Sequence, residues 1–441
     1  MSTERARIRE KAKREGEVVF DNLYHHITDV DNLRECFHEL DGRKAVGVDG
    51  VSKEAYGRDL EVNLQDLSQR LRDGGYRPPP SRRTYIPKEG SEKGRPLGIS
   101  TFECKIVELS IKRTLEGIYE EAFEPSSYGF REGRNQHQCL DELGRTIQQK
   151  RVSYVAEADI RSFFDRVNHE WLMKFLEHRI GDRRVLKLIK RLLNAGIMED
   201  GLCKASEEGT PQGSILSPLL SNIYLHYVLD LWFSRRFKKG CRGEAYYFRY
   251  ADDFVACFQY REDGECFMRM LASRLEGFGL ELAREKTRNI PFGRFAYGNA
   301  RQQGRKPETF TFLGFMHYCG HTRAGHFKVK RRTSPKKMRQ KLADFEQWAR
   351  KSRGQLRKGH MIRIAVRKLK GHVNYYGITD NGQDVGTFIY RASRILFKWL
   401  NRKSQRRSYT WQGFRQATKA CGWPESVVRV NLNPFAREAH Q

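Results

Sequence analysis

The chain is 441 residues long and carries 82 Lys and Arg against 54 Asp and Glu, a formal net charge of +28. Such an excess calls for a polyanionic partner, and the length suits about two to four domains of ~100–200 residues each, which rules out a short disordered basic tail. With 39% hydrophobic, 12% aromatic and 31% charged residues and a mean hydropathy of -0.72, the sequence can build a core but contains no apolar run of about 18 residues that would span a bilayer.

The mixed-charge start, Met1 to Gly16, has no apolar signal core, so an intracellular protein is expected. Short helical segments follow over residues 17–45, with Asp29 or Asp31 as N-caps and Val30, Leu33, Phe37 and Leu40 at helical spacing. Gly47-Val48-Asp49-Gly50 marks a turn, and helical periodicity runs from Ser52 to about Arg72 before Gly74-Gly75 and Pro78 to Pro80 break it. Arg82 to Pro87 reads as a strand with Gly94 to Ile99 as its hairpin partner, and Thr101 to Ala122 as a long amphipathic helix.

Val152 to Ile160 reads as a buried strand that ends in a carboxylate, Asp159, ahead of Phe163-Phe164-Asp165. Helices are expected from about His169, from Arg183 to Leu193 and, after Gly209-Thr210-Pro211-Gln212-Gly213-Ser214, from Leu216 to Phe233. Two apolar runs, Ala245 to Tyr250 and Phe254 to Gln259, flank Ala251-Asp252-Asp253 like a β-hairpin with acids at its tip. A helix from Gly264 to Phe278, a strand-like Leu280-Glu281-Leu282 and an apolar run from Phe310 to Phe315 follow. Residues 333–370 and 385–402 read as basic helices.

The charge is unevenly placed. Arg301 to Gln441 hold 32 Lys and Arg against 7 Asp and Glu, whereas residues 1–300 hold 50 against 47. A step of this kind marks a near-neutral body followed by a polyanion-binding module. The nine cysteines include no C-x-x-C pair, so neither a disulfide framework nor a thiolate zinc ribbon is indicated. Cys319, His321 and His326 form a metal-like grouping that lacks a fourth ligand.

Burying Asp252 and Asp253 between apolar strands without compensation would cost several kcal/mol, so a cation is expected there, with Asp159 as third acid. Carboxylates are the ligands that hard cations such as Mg²⁺ require, and two ions ~3.5–4 Å apart can stabilise both oxygens of a phosphoryl transfer. An Asp pair that merely caps a turn is the plain alternative.

Asp159 to Asp165, Gly209 to Pro218, Tyr250 to Asp253, Lys286 and Phe312-Leu313-Gly314-Phe315 resemble, in order and spacing, the palm motifs of reverse transcriptases. More specifically, Gly47 to Gly50, Ile86-Pro87-Lys88, Arg95 to Ile99, Ser127 to Arg131 and Gly371 to Gly377 are similar to the finger and thumb segments of bacterial group II intron-encoded reverse transcriptases, or maturases. The resemblance covers about Phe20 to about Phe414. It implies an α+β right-hand polymerase, with an N-terminal extension (1–45), fingers and a ferredoxin-like palm (46–320) and a basic helical thumb or X domain (321–441).

The same resemblance implies roles. Asp159, Asp252 and Asp253, with the Ile160 carbonyl, would hold two Mg²⁺, with Mn²⁺ as a substitute. Phe164 would be the aromatic gate against a 2′ hydroxyl, with Phe163 competing for that place. Lys88 and Arg95 would clamp the incoming triphosphate, Gln212 would contact the dNTP, and Lys286 would protonate leaving pyrophosphate. Arg82 and Arg83 would grip template phosphate or be plain surface charges. The implied activity is RNA-directed DNA polymerisation with intron RNA binding, splicing and mobility; the partners are intron or template RNA, a DNA primer or target and dNTPs, with no membrane. The chain ends without the DNA-binding and HNH endonuclease patterns of many relatives, so second-strand cleavage is expected to be absent. A domesticated enzyme of phage defence or DNA repair, and an RNA-binding splicing cofactor without polymerase activity, are the competing readings.

Overall fold

A computed structural model describes residues 3–86, 94–199, 202–204, 208–210, 213–402, 408–425 and 427–433. Its strands are β1 (Ser81–Ile86), β2 (Arg95–Ile99), β3 (Tyr154–Ala158), β4 (Ile197–Glu199), β5 (Leu202–Lys204), β6 (Ala245–Tyr250), β7 (Asp253–Phe258), β8 (Arg288–Pro291), β9 (Phe310–Phe312), β10 (Phe315–His321) and β11 (Phe327–Thr333). They form three sheets, ordered β2-β1-β4-β5, β6-β7-β3-β8 and β11-β10-β9. This is the α+β architecture of a right-hand polymerase.

Helix starts follow local chemistry. Asp29, Ser52 and Thr101 each cap a helix with a side-chain oxygen, satisfying amides that the first turn leaves unpaired. Asn135 and Gln138 close a reciprocal capping box on the helix Gln136–Gln149.

The central sheet β6-β7-β3-β8 separates two cores because successive strand residues face opposite sides. Ala156, Phe254, Ala256 and Phe258 join a large cluster with the helices Phe102–Tyr119, His169–Glu177, Ser217–Leu225 and Arg261–Glu276. Val155, Val255 and Cys257 face a second cluster made with Gln136–Gln149, β9 to β11 and Tyr376. A third core, including Leu342, Phe345, Ile362, Leu369, Phe388 and Trp399, joins the three basic helices Pro335–Gln355, Lys358–Tyr376 and Gly382–Asn401.

Several elements differ from expectation. The apolar run Phe310 to Phe315 contains a turn: Leu313 and Gly314 take φ of +50° and +76°, and β10 turns back on β9. The expected helix from Leu216 to Phe233 is α-helical only over Ser217–Leu225 and then widens into π-helical turns at His226–Asp230 and Phe233–Phe237. The helix expected from Gly264 spans Arg261–Glu276, and Leu280 to Leu282 contributes a single bridge, Ile160 to Leu282. Residues 333–370 are not one helix, because β11 runs to Thr333 and an extended Leu356 ends the helix Pro335–Gln355 before the next begins at Lys358. No helix among the described residues is long and apolar enough to cross a membrane.

Candidate active site

Strand register brings the expected acids together. Ala158 pairs with Phe254, and Tyr250 pairs with Asp253 across the β6–β7 turn. Asp159, one residue beyond β3, therefore arrives beside Asp253. The amides of Arg161 and Ala283 fasten this end by donating to the carbonyls of Glu281 and Asp159, both at 2.8 Å. Ile160, the proposed source of a carbonyl ligand, has its residue buried at 3% exposure. At the turn, Ala251 takes φ of +57°, the left-handed conformation that tight hairpins need and that costs a non-glycine residue about 1–2 kcal/mol.

Asp253 is open to solvent on one side, yet the protein that encloses the rest of it, together with the charges of Asp252 and Asp159, pushes its carboxyl up to about 7. Lys337 and Lys286 pull in the opposite direction. Lys286 donates to Asp159 Oδ2 at 2.5 Å, and this hydrogen bond raises the lysine above its ordinary value. Among the described residues no three His, Cys, Asp or Glu side chains are pre-arranged as a metal cage, and the Asp159 carboxylate turns instead to the lysine. The donor chemistry nevertheless fits a hard divalent ion: three carboxylates, no sulfur, burial and mutual repulsion that both disfavour the charged form of Asp253 while no cation is bound, and lysines drawn toward the acids.

The other expected residues divide. Phe163 is 2% exposed and packs tilted against Tyr224 in the core, whereas Phe164 is only partly buried and its carbonyl accepts from the Thr210 amide. Lys88 and Gln212 lie outside the described residues. The Arg95 backbone begins β2 opposite Ile86. Gly213, with φ of +114°, lies so close to Gly98 of β2 that a Cβ would come within 2.7 Å of the Gly98 carbonyl oxygen. Glu108 ties the same region together: its buried carboxylate accepts from the Ile215 amide at 2.8 Å and the Ser100 hydroxyl at 2.8 Å, and burial raises its pKa. Arg82 donates to the Val46 carbonyl at 2.8 Å, while the buried Arg83 Nε has no hydrogen-bond partner. Cys319 donates to the Gly293 carbonyl, and His321 packs edge-on against Tyr297.

Two neighbours of the acids were not foreseen. Lys337, in the first turn of the helix Pro335–Gln355, acts electrostatically on Asp253 from the C-terminal third. Tyr375, from the Gly371 to Gly377 segment, donates from Oη to the Leu313 carbonyl at 3.0 Å, and Tyr250 and Asp253 add to the burial that pushes its phenol up to about 12. The signal for Lys337 was only the Ser334-Pro335 helix start, which says nothing of what its first turn faces.

Comparison with known proteins gives the same direction. A family model described as "Reverse transcriptase (RNA-dependent DNA polymerase)" matches residues 86–317. The chain is 36% identical over 229 residues to the Group II intron-encoded protein LtrA of Lactococcus lactis subsp. cremoris, covering 51% of this chain and 38% of that protein. It is 38% identical over 246 residues to Protein YkfC of Escherichia coli (strain K12), covering 48% and 63%. It is 30% identical over 134 residues to the mitochondrial Nuclear intron maturase 3 of Arabidopsis thaliana, covering 29% and 18%. This chain spans less than two thirds of the length of each of these relatives.

Proposed function

Since the chain belongs to the reverse transcriptase (RNA-dependent DNA polymerase) family, we propose that it extends a primer 3′ end with dNTPs on an RNA template and is of the group II intron type, binding intron RNA as a maturase in splicing and mobility. The observation that carries the polymerase reading is the meeting of Asp159, Asp252 and Asp253 at adjoining strand ends, where their charges act on one another.

In this reading Asp159, Asp252 and Asp253, with the Ile160 carbonyl, hold two Mg²⁺. When bound, the ions supply Lewis-acid stabilisation of the attacking and leaving oxygens. Lys286, which meets Asp159 at this end of the sheet, gives up a proton to the leaving pyrophosphate in this reading. Phe164 serves as the gate, a role supported by the burial of Phe163 in the core. Arg95 with Lys88 clamps triphosphate, Arg supplying a forked donor and Lys a point charge. Gln212 contacts the nucleotide.

The fingers and palm occupy 46–320 and the thumb 321–441. Exposed Arg350, Lys351, Arg363, Arg367, Arg391 and Arg394 on the helices Pro335–Gln355, Lys358–Tyr376 and Gly382–Asn401 supply the phosphate-binding face. Aromatic residues there, including Phe345, Phe388 and Trp399, sit in the helical core instead of being displayed for base stacking. The maturase part of the reading is supported by the relatives' names and by this basic face.

Primer extension on an RNA template with Mg²⁺ tests the reading, comparing dNTPs with rNTPs and wild type with Asp252→Asn. The wild type should extend with dNTPs and the variant should not. No extension by the wild type, or equal extension by both, would sink the assignment.

A further inference from the structure

Beneath the acid-bearing turn lies a buried polar network that composition gives no reason to expect. Arg249, the penultimate residue of β6, is fully buried, as is its partner Asp230. The guanidinium uses its whole fork. Nε and Nη2 grip the two Asp230 oxygens at 2.8 and 2.5 Å, Nη1 donates to Asn222 Oδ1 and to the Ala251 carbonyl, both at 2.9 Å, and Nη2 also reaches Ser127 Oγ at 2.8 Å.

The partners come from three separate elements. Asn222 lies on the helix Ser217–Leu225, Asp230 on the π-helical turn that follows it, and Ser127 on the loop before Gly129. Asn222 is itself fastened, because its Nδ2 donates to the Gly129 carbonyl at 2.7 Å. The Arg249 backbone closes the arrangement by accepting from the Tyr128 amide and donating to the Ser126 carbonyl, both at 2.9 Å.

Of these contacts, the one to the Ala251 carbonyl matters most. Ala251 holds the left-handed conformation at the first position of the two-residue turn, and Asp252 follows it directly. Such a conformation persists only where surrounding contacts over-determine it. A fork anchored on a buried carboxylate supplies that constraint, and π-helical turns such as the one that carries Asp230 are frequent at functional sites. Lysine carries the same charge but cannot offer donors in three directions from one rigid plane.

We propose that Arg249 is a positioning residue whose guanidinium, braced by Asp230, Asn222 and Ser127, fixes the Ala251-Asp252 turn and with it the placement of Asp252 and Asp253. Its kinetic consequence rests on the polymerase reading, but its structural consequence does not.

The test uses the full-length chain with Arg249→Lys and, in case that variant folds poorly, Asn222→Ala, which removes one brace and leaves the Asp230 pair in place. Amide hydrogen exchange of the metal-free protein is followed across residues 246–256 and, as reference, across 361–370. Exchange at the turn should rise about tenfold or more in either variant with the reference segment unchanged, the signature of local and not global opening. In single-nucleotide extension, kcat should fall by roughly 10–100-fold while the dNTP KM stays within about threefold, as expected when reacting groups are misplaced without loss of ground-state binding. A folded Asn222→Ala variant with unchanged exchange at the turn and wild-type kcat would overturn the proposal. So would exchange that rises equally in both segments, which would make Arg249 a general core residue. If the wild type itself extends no primer, the polymerase reading fails while the exchange comparison still decides the network.

Discussion

Gly129 offers a sharp test of how tightly the acid-bearing turn is held. A Cβ built on Gly129 would stand 2.3 Å from the Ala251 nitrogen, 2.9 Å from the Tyr250 carbonyl carbon and 3.0 Å from the Ala251 Cα. All three atoms are backbone, so no side chain can swing aside. Ordinary contact begins near 3.4 Å, so Gly129→Ala must drive the two segments apart by about 1 Å. Retreat is opposed from both sides, since the Tyr128 amide is bonded to the Arg249 carbonyl and Asn222 holds the Gly129 carbonyl.

Overpacking of this kind costs about 1–3 kcal/mol of stability, whereas a 1 Å misplacement of catalytic groups costs on the order of 100-fold in rate. Activity should therefore fall far more than stability. The assay is single-turnover primer extension beside thermal unfolding, with Gly240→Ala as control because nothing lies within 4 Å of a Cβ there. Gly129→Ala is expected to lose about 100-fold in rate with a melting shift of a few degrees, and Gly240→Ala neither. Extension by Gly129→Ala within threefold of wild type would refute the reasoning.

Replacing the partly buried Phe164 by Val should raise the rNTP-to-dNTP ratio of kcat/KM by at least about tenfold, and unchanged discrimination would move the gate elsewhere. Of the exposed cations on the helix Lys358–Tyr376, Arg363 and Arg367 lie one helical turn apart, so changing both to Ala should lower the magnitude of the salt slope for RNA binding by about 0.7–0.9 per lost phosphate contact. An unchanged slope would place the phosphate contacts on other residues. His372 stacks between Phe388, at 3.6 Å, and Tyr376, at 4.8 Å, with neither ring nitrogen hydrogen-bonded. Burial, aided by Lys341, pushes it from 6.5 to about 3. The unfolded chain therefore binds a proton here before the folded one does. The stability this ring contributes is fully present above pH 6.5 and is lost as pH falls toward 3, by about 2 kcal/mol between pH 7 and 5. His372→Phe should flatten that loss in denaturant titrations at the two pH values, and an identical loss in the variant would contradict the assignment.

Much of the local structure was legible because its causes are local. Asp29, Ser52 and Thr101 cap helices within three residues of themselves, and the two apolar runs flanking Asp252 and Asp253 specified a hairpin without knowledge of its neighbours. Errors arose where a distant contact decides a short-range ambiguity. Phe310 to Phe315 reads only as an apolar run, and the turn at Leu313-Gly314 forms where Tyr375, 62 residues away, holds the Leu313 carbonyl. The apolar run after Ser217 satisfies an α-helix, yet its continuation winds into the π-helical turn that carries Asp230, partner of Arg249.

The sequence by itself determined the chemistry available: an acid after one buried strand, two acids at a hairpin tip, and a charge excess confined to the last third. Those are properties of residue type and spacing, which a chain carries whether or not it is folded. Only the tertiary structure decided which acid meets which lysine, that Lys337 faces the acids from the C-terminal helices, and that Arg249 reaches beneath the turn. Electrostatic and hydrogen-bond energies depend on separations of a few ångströms between groups tens to hundreds of residues apart, and sheet order and helix packing set those separations.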